Sequence, residues 1–384
     1  MLRIFIQLAA IAVFIFSAPA YAAGKAETGS TTAKQAIMLD YDTGMVIFEK
    51  AADERMPTSS MSKVITMYMV FEALKNGKLS LEAMLPVSEK AWRMGGSKMF
   101  VKVGDQVKVE DLVRGVVIQS GNDATIVLAE GLAGSEMAFA DAMNVKAKEL
   151  GMTNSHFMNA SGWPDPEHYS TARDLATLSM RTIRDFPDYY HYYKEPEFTF
   201  NAIKQRNRNP LLYRNIGADG IKTGHTEAGG YGLMGSGTNG ARRVILVVNG
   251  LPDDKARAEE SARLLEWGLK SFINVSLFKG GTVVDKAPIV MGKTEHVPLI
   301  VEKDLTVTIP FAVKNDLKVQ VQYDTPLLAP VFKGQKVGKL KIEIPRVTTL
   351  EVPLIAAENV SPLGIFAGTF AKAKLMLGGE SRIK

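Results

Sequence analysis

A serine and a lysine three positions apart, in Ser60-Met61-Ser62-Lys63, are the first residues of this chain whose types and spacing suggest chemistry. A lysine amine that is partly neutral can take a proton from a serine hydroxyl. Burial and neighbouring positive charge lower an amine's pKa in the direction this requires. Such a pair needs neither histidine nor metal, which matters in a chain with five histidines and no cysteine. On a helix the two side chains share one face. The fragment alone proves little: Ser276-Leu277-Phe278-Lys279 repeats its outer pattern without supporting groups.

Two further fragments follow in order. In Ser120-Gly121-Asn122, Ser120 suits proton transfer between lysines and a leaving amine, and Asn122 suits holding a carbonyl. The same residues serve an ordinary turn or helix cap. Lys222-Thr223-Gly224, just after Asp219-Gly220-Ile221, offers a cation and a hydroxyl to an anionic substrate terminus, and Gly224 permits close approach of backbone. A salt-bridged surface hairpin would use the same residues. His156, His168, His191, His225 and His296 show no metal-ligand spacing, so no metal or other cofactor is expected. His168 reads as a hydrogen-bonding loop residue. Tyr189, Tyr190, Tyr192 and Tyr193 read as packing beneath a loop rather than as a sugar platform.

These groups must be positioned by a mixed set of elements. Strand character covers residues 35–41 and 45–48 around an Asp42-Thr43-Gly44 turn. Apolar spacing predicts a buried helix over 59–75, capped by Thr58 or Ser59. Further helices are expected over 109–117, 124–132, 136–150, 171–182 and 259–272. Residues 157–170 are turn-rich, with Gly162, Pro164 and Pro166. Short strands are expected at Lys222 and over 231–234, and the β-branched run 244–248 suits an interior strand. After about Asn274, short runs alternating with Gly, Pro, Asp or Lys turns indicate a small, mostly β domain. Leu363, Phe366, Phe370, Ala373 and Leu377 align on one helical face near Lys372 and Lys374, the pattern of an amphipathic anchor.

At 384 residues the chain is long enough for two domains. Residues 1–22, with Arg3, an apolar run and Ala20-Tyr21-Ala22, have the form of a secretory signal peptide. Loss of Arg3 lowers the formal charge from +5 to +4, a bias too weak to indicate nucleic acid. The expected organisation is a signal peptide (1–22), a catalytic domain (23–274), a β-rich domain (275–362) and an anchoring tail (363–384).

The ordered fragments, with longer segments around them, resemble the low-molecular-mass penicillin-binding proteins, the serine-type D-alanyl-D-alanine carboxypeptidases of peptidase family S11 typified by the penicillin-binding protein 5/6 group. The resemblance is carried by Pro57-Thr58-Ser59-Ser60-Met61-Ser62-Lys63, Phe157-Met158-Asn159-Ala160-Ser161-Gly162-Trp163, His168-Tyr169-Ser170-Thr171-Ala172-Arg173-Asp174, Asn207-Arg208-Asn209-Pro210-Leu211-Leu212 and Asp219-Gly220-Ile221-Lys222-Thr223-Gly224-His225-Thr226. It implies an α/β (α+β) fold of the serine β-lactamase/DD-peptidase type, followed by the small β domain and the C-terminal amphipathic helix.

It also implies hydrolysis of the terminal D-Ala-D-Ala bond of peptidoglycan pentapeptides, with Ser60 as nucleophile, Lys63 as proton acceptor and Ser120 as relay. Asn122, Lys222, Thr223, Gly224, His225 and Arg208 would bind substrate. β-Lactams would act as covalent inhibitors. The implied location is the periplasm, on the outer face of the inner membrane through the tail; protein partners are not implied. A serine β-lactamase would share the acylation motifs, but Asp165 and Glu167 do not fit that group's deacylating glutamate pattern. A DD-endopeptidase and a non-enzymatic penicillin-binding scaffold are the other readings. Rapid β-lactam turnover, cleavage of cross-links, or absence of any acylation would distinguish them.

Overall fold

The computed structural model describes residues 29–345 and 347–364, together with the two-residue strand Ile4–Phe5. The expected signal-peptide cleavage site and residues 365–384 of the tail lie outside the described residues. Two compact units divide between Ser271 and Phe272.

The first unit is built on a five-stranded antiparallel sheet. Its strands are β1 (Gln35–Asp40), β2 (Val46–Lys50), β5 (Ala218–Thr226), β6 (Gly230–Asn239) and β7 (Arg242–Leu251), in the order β2-β1-β7-β6-β5. Strands β3 (Glu197–Phe200) and β4 (Ile203–Arg206) form a separate hairpin. The run 244–248 is apolar at every position because β7 is covered on both faces. Ile245 and Val247 join a large helical core, while Val244, Leu246 and Val248 pack with Leu264, Leu265 and Leu269. The latter belong to a helix over Asp254–Ser271, which begins five residues earlier than its apolar spacing predicts. Asp253 marks that start by accepting the Ala256 N–H through its side chain.

The helical side holds α1 (Lys63–Lys75), α2 (Val109–Val117), α3 (Asn122–Ala133), α4 (Glu136–Glu149) and α5 (Ala172–Asp185). Helix α1 is buried on nearly all sides, so its apolar residues are not confined to one stripe. The expected continuous helix over 59–75 divides here: Ser59–Ser62 is a 3-10 turn, and the α-helix starts only at Lys63. Neither expected cap forms. The Thr58 hydroxyl instead lies 2.5 Å from Ser62 Oγ, and Ser59 has a left-handed φ of 52°.

The second unit opens with β8 (Phe272–Phe278), which pairs with β11 (Leu305–Pro310). Its larger sheet runs through β12 (Lys318–Tyr323), β14 (Lys336–Ile344), β15 (Thr348–Ala356), β10 (His296–Ile300), β9 (Val283–Val290) and the edge strand β13 (Leu327–Leu328), in that order. Alternation of buried residues such as Leu340, Ile342 and Ile344 with outward Lys339, Lys341 and Glu343 gives β14 one core face. Ser276 stands exposed on β8, and Lys279 pairs with Asp304 at 2.6 Å, so the second Ser-x-x-Lys has no catalytic geometry.

Candidate active site

Because Ser60 lies in a 3-10 turn, where residues three apart eclipse, Lys63 comes directly beneath it. Lys63 Nζ is 2.9 Å from Ser60 Oγ and 2.5 Å from the Ser161 carbonyl. Lys63 is 1% exposed, and burial first, then the charge of Arg208, pulls its pKa down to about 7 despite opposing Asp123 and Glu136. The amine is therefore substantially neutral near neutral pH.

The turn-rich segment presents the Ser161 carbonyl through side-chain anchors. Asn159 Oδ1 accepts the N–H groups of Ser161 and Trp163, and Thr66 donates to the Ala160 carbonyl at 2.7 Å. Glu136 accepts the Ala160 N–H while pairing with Lys90. Gly162 has φ 78°, and a Cβ there would lie 1.8 Å from the Ser59 carbonyl oxygen, so this loop presses directly on the turn that carries Ser60.

His168 joins the same two segments. The Met158 N–H donates to its Nδ1 at 3.2 Å, which leaves Nε2 as the donor to Ser62 Oγ at 2.8 Å. Burial pushes the imidazole pKa down to about 4, so it is neutral. Its role is the loop hydrogen bonding expected from sequence. The tyrosine cluster likewise packs: Tyr190, Tyr192 and Tyr193 are buried, and Tyr189 stacks on Phe71.

Ser120 is 2% exposed with φ 62°, and its Oγ has no hydrogen-bond partner among the described residues. Gly121 follows because a Cβ would meet Asp123 Oδ1, Met99 N and the Gly115 carbonyl within 3.2 Å. Helix α3 starts at Asn122, two residues before the expected position. The Asn122 N–H donates to the Ser97 carbonyl, and Nδ2 donates to the Gly95 carbonyl. Asp123, absent from the expected set, collects the N–H groups of Met99, Phe100 and Val101. From outside, Gln205 and Asn201 of the β3–β4 hairpin donate to the Lys98 and Phe100 carbonyls. Residues 97–101 are thus held at both their donors and their acceptors.

Strand β5 is one edge of the sheet, and its Gly224 allows contact with the turn that carries Ser60: a Cβ would stand 2.9 Å from the Thr58 carbonyl oxygen. Lys222 is buried, with Nζ 3.0 Å from the Thr223 carbonyl oxygen. Burial, then Lys63, Arg208 and Arg257, hold its pKa well below the usual lysine range. Arg208 bonds Ser97 Oγ. Arg257, which sequence reasoning missed, is 7% exposed, pairs with Asp254 and lies over Tyr231. His225 is exposed and stacks on the Tyr231 ring at 3.9 Å between centroids. Arg208 and Arg257 therefore supply the lasting positive charge around the two depressed lysines, a field suited to an anion.

Residues 22–252 match the family model described as D-alanyl-D-alanine carboxypeptidase, and residues 272–362 match that of the penicillin-binding protein 5 C-terminal domain. The chain is 41% identical to D-alanyl-D-alanine carboxypeptidase DacC of Escherichia coli (strain K12), covering 92% of this chain and 91% of that protein. Among solved structures, penicillin binding protein 5 from Haemophilus influenzae is 37% identical with a TM-score of 0.77, covering 86% of this chain and 98% of that one. The carboxypeptidase DacD from Francisella tularensis is 33% identical with a TM-score of 0.80, covering 93% and 98%.

Proposed function

The chain belongs to the D-alanyl-D-alanine carboxypeptidase family of low-molecular-mass penicillin-binding proteins, and we propose that it releases the terminal D-alanine of peptidoglycan pentapeptides through an acyl-enzyme on Ser60. The observation that carries this reading is the 2.9 Å approach of a buried Lys63 amine, with a pKa of about 7, to Ser60 Oγ.

In this reading Ser60 Oγ attacks the carbonyl carbon of the penultimate D-alanine as its proton passes to Lys63 Nζ. The developing oxyanion is met by the N–H groups of Ser60 and His225. Ser120 relays a proton to the departing amine as the C–N bond breaks, leaving an ester on Ser60. Water then adds to the ester, freeing the shortened peptide and returning the proton to Ser60. Lys222 and Thr223 receive the substrate carboxylate, with Arg208 as supporting charge and Asn122 at the substrate amide. The buried Ser120 Oγ, without a partner among the described residues, and the positive charge of Arg208 and Arg257 near Lys222 support these assignments. A β-lactam carbonyl offers Ser60 the same attack, and opening of the ring leaves a covalent acyl-enzyme.

The form of residues 1–22 supports export to the periplasm, and the spacing after Leu363 supports attachment to the outer face of the inner membrane. Residues 23–384 should release D-alanine from a diacetylated Lys-D-Ala-D-Ala peptide. Ser60→Ala should abolish release and Ser276→Ala should preserve it. Release that survives the first substitution would overturn the nucleophile, and no release by the parent enzyme from any D-Ala-terminated peptide would overturn the activity.

A further inference from the structure

The sheet of the second unit ends in an edge ribbon with an unusual outward face. From Pro326 to Phe332 exposure alternates with the period of a strand: Ala329 and Val331 are buried, while Pro326, Leu328, Pro330 and Phe332 face out. Leu328 is 67% exposed and Phe332 61%. All four outward positions are apolar. Outward positions elsewhere in the sheet, on β14 and β15, instead carry pairs such as Lys339–Glu351 at 2.7 Å.

The ribbon lies where the chain passes into residues 365–384. The Ala329 N–H donates to the Val290 carbonyl, and Val331 and Val360 exchange hydrogen bonds at 3.0 and 2.8 Å. Gly292 bridges to Pro362, and the Leu363 N–H donates to the Met291 carbonyl. Thus the apolar ridge and the start of the amphipathic sequence share one end of this unit.

We propose that this end is itself a lipid-contacting surface, with Pro326, Leu328, Pro330 and Phe332 entering the bilayer interface beside the tail. Pro326 and Pro330 have no N–H, so the ribbon is poorly made to extend its ladder into another protein's strand. Lys293 and Lys333 are accompanied by exposed Glu295 and Glu358, so the rim has no single sign to match a charged partner. Apolar burial is therefore the driving contribution, and two membrane contacts close together hold a surface far better than one marginal contact. This inference adds to the carboxypeptidase reading and does not depend on it.

The test uses the mature chain and vesicles of phosphatidylglycerol and phosphatidylethanolamine, with partition coefficients taken from lipid titrations. L328S/F332S should lower the coefficient by about tenfold or more, while hydrolysis of a soluble D-Ala-D-Ala peptide stays unchanged. The loss should persist in raised salt, since charge is not its source. Phe332→Trp, in parallel, should gain quenching by brominated lipid over the parent's own tryptophans. Unchanged partitioning of the double variant, or no added quenching in F332W, would overturn the proposal. Loss of peptide hydrolysis in the parent would count against the carboxypeptidase reading alone.

Discussion

The Lys63 amine is fixed 2.5 Å from the carbonyl oxygen of Ser161, a backbone group 98 positions later in the chain. That contact directs Lys63 away from solvent and leaves Nζ within 2.9 Å of Ser60 Oγ. As a base with pKa about 7, it should impose an acid limb on acylation. Below that pKa the second-order rate of Ser60 acylation by a fluorescent penicillin should fall about tenfold per pH unit, because only the neutral amine accepts a proton. A rate independent of pH between about 5 and 8 would remove Lys63 from this role.

Lys63 also carries a stability signature. Its folded pKa, about 7, lies below the unfolded value of 10.5, so between those values the unfolded chain binds more protons. Stability due to this group therefore rises with pH across that window, by up to about 4–5 kcal/mol from linkage. Below it, both states are protonated and the penalty is constant. Comparing denaturant midpoints of the parent and Lys63→Met isolates the effect: their difference should shift toward the parent from pH 7 to 10. Parallel pH curves would show that Lys63 is not held neutral.

His168 gives an acid-sensitive lock between the turn-rich loop and the nucleophile turn. Its folded pKa of about 4 lies below the ordinary histidine value of 6.5, so its contribution is complete above 6.5 and declines as pH falls toward 4. The decline should reach about 3 kcal/mol. His168→Gln can still accept from Met158 and donate to Ser62 without titrating. Thermal melts of the two proteins should diverge between about pH 6.5 and 4, with the variant less acid-sensitive. Coincident melting curves would assign the acid response to other groups.

The main elements were legible because their signals are local. The β-branched run 244–248, the alternation at Leu340 and Ile342, and the apolar spacing after Lys63 each declare an element within a few residues. The nucleophile turn was not legible: Ser59 at φ 52° and the 3-10 geometry answer to pressure from Gly162 and Gly224, which are distant in sequence. Asp123 was missed for a similar reason. A carboxylate at the start of a helix suggests a dipole partner, whereas its amide partners lie more than twenty residues upstream. Arg257 lies two residues before the helix expected over 259–272, and only the fold, in which that helix starts at Asp254, buries it.

Asp123→Ala should loosen residues 97–101 by leaving three N–H groups without their acceptor. The expected cost is about 2–4 kcal/mol of stability and at least about tenfold in kcat/KM for peptide. Hydrogen exchange should increase at Met99, Phe100 and Val101 more than in strand β7. Uniform acceleration over the unit would indicate general destabilisation instead of a released segment. Unchanged exchange at these three amides would refute the anchor.

Gly162→Ala tests whether the turn-rich loop sets the geometry of the nucleophile. Gly162 combines φ 78° with a Cβ position 1.8 Å from the Ser59 carbonyl oxygen, so an added methyl must displace either the loop or the turn that carries Ser60. Gly151 supplies the control, because it has φ 84° but nothing within 4 Å of its Cβ position. Gly151→Ala should cost about 1 kcal/mol from backbone conformation and retain acylation. Gly162→Ala should cost at least about 3 kcal/mol. Any folded fraction should acylate about a hundredfold more slowly, as the Lys63–Ser60 geometry is lost. Urea midpoints and fluorescent-penicillin labelling at matched folded fractions measure both effects. Equal behaviour of the two variants would mean that the close approach to Ser59 has no hold on the reacting serine.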